Sequence, residues 1–190
     1  MCEITATNIV NKVLAYDIDP PNVDYNPYDH GVEVASQIPT NIGGDIVRKC
    51  FEELPGTTAV SFLEGFLAVA NIQSLDVLLL DCLPNTRDVG AGSAIVTLLR
   101  DVCGLTPTEI GDQVMDRLTD TVCGGAQDRV CFALWALICG ECYDVKSGEV
   151  RRNPITFSGS RISNLVESLV LTHYAKTTLE ECMKCLANRR

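Results

Sequence analysis

Val130-Cys131-Phe132-Ala133-Leu134-Trp135-Ala136-Leu137-Ile138 is an unbroken run of apolar residues. The segment around it, 127–143, reads as a helix that is apolar on nearly every side. Such a helix belongs at the centre of a bundle, which places Trp135 in the core. Gly124-Gly125 breaks the chain before it, and Ser147-Gly148 and Asn153-Pro154 mark the loop behind it.

Working outward, helical signals recur on both sides. Thr106-Pro107-Thr108-Glu109 supplies a cap, a proline in the first turn and a nearby acid, so a helix runs over about 106–122. Another covers about 93–103. Ser74 opens a short helix through Leu80; that run would also suit a buried strand, but no second strand is evident to pair with it. Thr57-Thr58 caps a helix carrying Val60, Leu63, Phe66 and Ala70. Pro39 opens one in which Ile42, Ile46, Cys50 and Leu54 repeat every four residues. The first helix covers about 4–17, with Ile9, Val10, Val13 and Leu14 as its apolar stripe. Asp19-Pro20-Pro21 and Asn26-Pro27 make 18–38 a loop. Helices over about 160–174 and 177–187 close the chain. The expectation is an all-α bundle of eight or nine helices, one domain over 1–190, packed around the hydrophobic helix that contains Trp135.

Composition narrows the function. Of 190 residues, 46% are hydrophobic and 21% charged, which is too apolar for disorder. Fifteen Lys and Arg against 25 Asp and Glu leave a net charge of −10, which argues against a nucleic-acid backbone binder. A basic or amphipathic peptide is an acceptable partner. No apolar window is long enough to span a bilayer, and the N-terminus does not read as a signal peptide. Gly90-Ala91-Gly92 lacks the third glycine of a dinucleotide cradle. No nucleophile elbow and no His-Glu-x-x-His helix is present. His30 lies in the polar loop and His173 near a helix end, and nothing local pairs either with a cysteine nucleophile. The chain reads as a binding protein rather than an enzyme, without a cofactor.

Ten cysteines admit several readings. Cys50, Cys103, Cys131 and Cys139 lie within apolar helical runs, where a free thiol behaves as a small hydrophobe, and this favours a cytoplasmic, reduced protein. Cys139-Gly140-Glu141-Cys142 and Cys182-Met183-Lys184-Cys185 form two C-x-x-C pairs. Together Cys139, Cys142, Cys182 and Cys185 could close a four-cysteine zinc site. Buried free thiols are preferred, with zinc second and redox pairs third.

The stretch 98–145 resembles the Bcl (B-cell lymphoma) family of apoptosis regulators. Leu99-Arg100-Asp101-Val102-Cys103-Gly104-Leu105-Thr106-Pro107 looks like the passage between that family's third and fourth helices. Asp112-Gln113-Val114-Met115-Asp116-Arg117-Leu118 looks like its fourth helix. Arg129-Val130, with the apolar run behind it, looks like the arginine of the first Bcl-homology motif and the central helix that follows. Ala126-Gln127-Asp128 stands where that motif has Asn-Trp-Gly. Ile38-Pro39-Thr40-Asn41-Ile42-Gly43-Gly44-Asp45-Ile46 is faintly similar to the family's death-motif helix, with an extra glycine before the aspartate.

The resemblance implies a Bcl-like bundle that receives an amphipathic helix in a surface groove. Arg129 would meet the partner's aspartate, with Val114, Leu118 and Val122 as one wall and Val130 and Leu134 as the floor. The same apolar stripe suits plain core packing, and Arg129 also suits capping of the preceding loop. The implied partner is the helix of a pro-apoptotic or signalling protein. The implied effect is inhibition of cell death, with innate immune evasion through the same fold as an alternative. A cytoplasmic location follows, with peripheral attachment at mitochondria compatible with it.

Overall fold

The computed structural model of the chain describes residues 5–22, 24–121, 124–144 and 149–189, with 141–144 and 149 described by their backbone alone. Among these it contains ten α-helices and one two-stranded hairpin, so the protein is all-α in class. The first five helices are α1 (Ala6–Ile18), α2 (Pro27–Gln37), α3 (Gly43–Glu53), α4 (Gly56–Leu67) and α5 (Leu75–Cys82). Next come α6 (Ala91–Asp101), α7 (Pro107–Asp120) and α8 (Gly125–Cys139), then strands β1 (Glu141–Asp144) and β2 (Glu149–Arg152). Helices α9 (Gly159–Ser168) and α10 (His173–Ala187) complete the order.

Local chemistry explains most of these boundaries. In α7 the Thr106 hydroxyl accepts from the Glu109 amide while the Glu109 carboxylate accepts from the Thr106 amide, a complete capping box. Helix α4 starts after Pro55 without a side-chain cap. Thr58, expected as part of that cap, instead donates its hydroxyl to Asp17 Oδ1 at 2.6 Å and ties α4 to α1.

Three boundaries differ from the sequence reading. The loop expected over 18–38 contains α2: the Asn26 side chain accepts from the Tyr28 amide, Pro27 occupies the first turn and Asp29 follows. A strong helix start is hidden in a segment dense with turn residues. The helix expected over 127–143 ends at Cys139, and residues 141–152 form the antiparallel hairpin, with Glu141 opposite Arg152. Gly140 leaves the helix in an extended conformation (ψ 156°) while its amide still donates to the Ala136 carbonyl, a turn in which a Cβ would overlap that carbonyl. The helix expected over 160–174 ends at Ser168, and α10 starts early because the Thr172 hydroxyl caps the Ala175 amide.

The core has two centres rather than one. Helix α4 buries Phe62, Leu63 and Phe66 between α2, α3 and α6, while α8 buries Val130, Cys131, Leu134, Leu137 and Ile138 between α6, α7 and α10. Helix α6 belongs to both, through Ile95, Leu98 and Leu99. The tightest crossing joins α2 and α4, where Gly31 lies on the Phe62 carbonyl and Gly65 on the Tyr28 carbonyl, with no room for a Cβ at either. Arg161 of α9 pairs with Asp112 and Asp116 and fastens α9 to α7.

Candidate functional site

Helix α8 is not buried all round. Val130, Cys131, Ala133, Leu134, Leu137 and Ile138 point inward, whereas Asp128, Arg129, Phe132, Trp135, Ala136 and Cys139 form a half-exposed stripe at helical spacing. Phe132 and Trp135 stack within it, with ring centroids 5.2 Å apart and planes 27° from parallel.

This aromatic pair separates two clefts. On one side, against α6, lies a cleft of about 470 Å³ bounded by Val96, Thr97, Arg100, Phe132, Trp135 and Ala136. Its volume falls within the usual range for a ligand site, about 300–1,000 Å³. Gly92 lets the backbones meet beside it: a Cβ there would come to 3.1 Å from both Ala133 and the Arg129 carbonyl. The Arg100 guanidinium on the α6 wall is bidentate to Asp101, at 2.7 and 2.9 Å. On the other side, against α10, lies a cleft of about 190 Å³ formed with Tyr174, Thr177, Thr178 and Glu181.

The residues expected to line a groove are placed otherwise. Val114, Leu118, Val130 and Leu134 are each 0% exposed and pack the core, so none presents its side chain to a partner here. Their apolar spacing recorded burial rather than a groove wall. Val122 lies outside the described residues. Arg129 is half-exposed, and its Nη1 donates to the Pro84 carbonyl at 3.0 Å across 45 residues of sequence. It therefore braces the turn between α5 and α6. Asp128, next to it, accepts from the Thr172 hydroxyl.

Of the cysteine quartet, Cys139 ends α8 while Cys182 and Cys185 lie on α10, which packs against it; all three are free thiols. The side chain of Cys142 lies outside the described residues. Among the described side chains, no three His, Cys, Asp or Glu groups are arranged to hold a metal ion.

Sequence reasoning also missed His30. It sits in α2, only 8% exposed, with Nδ1 3.1 Å from Tyr25 Oη and its ring edge-on to Phe62. Burial, with the Lys12 charge adding to it, holds its pKa below the usual histidine value. Burial and the Asp17 charge push the Tyr25 phenol up to about 12. The cleft of about 330 Å³ over this pair is rimmed by Lys12, Asp24, Asp29 and Glu33. The usable signal was the helix start at Asn26-Pro27, which makes His30 helical. For Phe132 and Trp135 it was their position, three residues apart on one face of an otherwise aliphatic helix.

Compared with family models, curated proteins and solved structures, the chain matches none.

Proposed function

We propose that this chain is a protein-interaction module that receives an amphipathic helix along the exposed face of α8, in the cleft against α6. The observation that carries the reading is the stacked, half-exposed Phe132–Trp135 pair that lines that cleft. Aromatic side chains beside an open groove are the usual anchors for a docked helix, which inserts apolar residues at every third or fourth position. In its finer form the proposal is a Bcl-like bundle that sequesters the death-motif helix of a pro-apoptotic protein and so restrains cell death. The likeness of 98–145 to that family supports it. Cytoplasmic residence and contact with mitochondria belong to the same proposal; no helix among the described residues is long and apolar enough to cross a membrane.

One observation favours a second reading. Because Arg129 is engaged with the Pro84 carbonyl, the partner's carboxylate would have to compete for it or draw on its remaining N–H groups. A Bcl-like fold used for other signalling contacts, such as innate immune evasion, needs no such ion pair. Titration calorimetry with a panel of death-motif peptides separates the two. The apoptotic reading expects at least one peptide with Kd below about 100 μM, roughly −5.5 kcal/mol. It also expects Phe132→Ala to weaken that peptide at least about tenfold, or 1.4 kcal/mol. If no peptide binds that tightly, the apoptotic reading fails and the second stands.

A further inference from the structure

Tyr16 of α1 and Tyr25, just before α2, meet edge to face, with ring centroids 5.2 Å apart and planes 74° apart. The two rings make walls of a corner rather than a stack. Buried His30 backs them: its ring lies 5.5 Å from Tyr16 and 5.8 Å from Tyr25, and is itself edge-on to Phe62 of α4. The bond between His30 Nδ1 and Tyr25 Oη at 3.1 Å holds the corner in shape without a ligand. Lys12, one turn before Tyr16 on α1, places its ammonium 5.4 Å from the centre of the Tyr16 ring. A cation within about 6 Å of a ring face is attracted by the ring quadrupole. Against this one ammonium, three exposed carboxylates, Asp24, Asp29 and Glu33, rim the same cleft of about 330 Å³. Glu33 accepts from Gln37 at 3.2 Å, and none of the three is ion-paired among the described residues.

We propose that this cleft binds the alkylammonium group of a ligand, which displaces Lys12 from the Tyr16 ring. Lys12 itself shows the chemistry that the corner accepts. It is exposed, on a flexible four-carbon stem, so it can swing into water without disturbing the core. A quaternary ammonium suits the vacated face better than a primary one. The primary group is strongly hydrated and holds its water. A trimethylated nitrogen donates no hydrogen bonds, so exchanging water for ring faces costs it less, and aromatic faces are the common device for holding it. The carboxylates on the rim draw in a cation and repel a ligand phosphate or carboxylate. The cleft shares no residue with the one between α6 and α8, so this proposal stands apart from helix binding.

Displacement has a consequence of definite sign. Because Lys12 occupies the ring face in the unliganded protein, it competes with the ligand. Removing its charge frees the face and leaves the rim more negative. Lys12→Met should therefore bind the ligand about two- to fivefold more tightly, the worth of one exposed cation–π contact. A Lys12 that touched the bound ligand favourably would give the opposite change. Tyr16→Ala should weaken binding at least about fivefold, whereas Tyr16→Phe keeps the ring face and should stay within about twofold of wild type.

The test titrates the full chain, observed by nuclear magnetic resonance, with choline, with a short peptide carrying trimethyllysine, and with the same peptide unmethylated. At least one methylated probe should bind with Kd below about 5 mM. Amide shifts should centre on residues 12–33, and the N-methyl protons should move upfield through the ring current of Tyr16. Equal binding of choline and the methylated peptide assigns a free small cation as the ligand; a preference for the peptide assigns a methylated side chain of a partner protein. Circular dichroism of each variant checks that the fold persists, and Lys12→Met with Tyr16→Phe carries the test if Tyr16→Ala unfolds. No saturable binding by either methylated probe overturns the proposal. So does equal binding of the unmethylated peptide that about 0.5 M salt abolishes, which is surface attraction alone. Unchanged or weaker binding by Lys12→Met overturns the displacement.

Discussion

Trp135 Nε1 donates to Glu181 Oε2 at 3.0 Å, joining residues 46 apart in the chain. The bond places the one tryptophan at the border of the core: its ring stacks on Phe132 and its polar edge is satisfied by a carboxylate of α10. A tryptophan held this way keeps an apolar body against the protein and a polar tip toward water.

The core position on α8 is therefore Leu134 and not its neighbour. Leu134→Ala should cost about 2–5 kcal/mol, because the residue is completely buried. Trp135→Ala should cost less, about 1–2 kcal/mol, because the ring is half-exposed and loses little burial. Urea unfolding of both variants checks the order; a larger loss for Trp135→Ala would show that the ring is a core element.

Arg129 is expected to support the fold through the Pro84 carbonyl. Arg129→Ala removes a charge-assisted bond and should destabilise the protein by about 1.5–3 kcal/mol, with or without a partner present. Thermal unfolding of the unliganded variant reads this directly. An unchanged midpoint would return Arg129 to a purely partner-facing role.

The α2–α4 crossing has no space for a methyl group. Gly31→Ala and Gly65→Ala should each cost about 1–3 kcal/mol or more, because the obstructing atoms belong to backbone and cannot rotate away. Gly159→Ala, at an open position, is the control and should fall within about 0.5 kcal/mol of wild type or stabilise slightly. Equal stabilities across the three variants would mean that the helices are packed less closely than described.

His30 predicts a pH dependence with a definite sign. Its pKa is lowered in the fold, chiefly by burial, so the unfolded chain binds that proton more tightly. The stability it contributes is fully present above the unfolded value of about 6.5 and is lost as pH falls through the lower folded value. Between pH 7.5 and pH 5, the wild-type melting temperature should fall further than that of His30→Gln. Equal falls would place the ring in water.

The helices and most of their starts could be read from the sequence because their causes are local. The Thr106 and Glu109 capping box, the four-residue repeat of Ile42, Ile46 and Cys50, and the Leu54-Pro55-Gly56 break all act within a turn or two. Helix α2 escaped that reading because Asn, Pro and Asp serve loops and helix starts alike, and only the contact with α4 decides between them. The hairpin escaped it for the opposite reason: apolar periodicity continues through Cys139, and the extended backbone of Gly140 that ends the helix carries no hydrophobic signature.

By itself, the sequence determined the all-α class, the apolar character of α8 and the two C-x-x-C pairs, since side-chain period, caps and spacing are written residue by residue. Only the tertiary structure decided which face of α8 stays open. Val130 and Leu134 differ from Phe132 and Trp135 by nothing in their own hydrophobicity; they differ in whether α6, α7 and α10 lie over them. The same holds for Trp135 and Glu181. Their bond depends on α8 and α10 packing side by side, a relation between segments more than forty residues apart, and no local propensity encodes it.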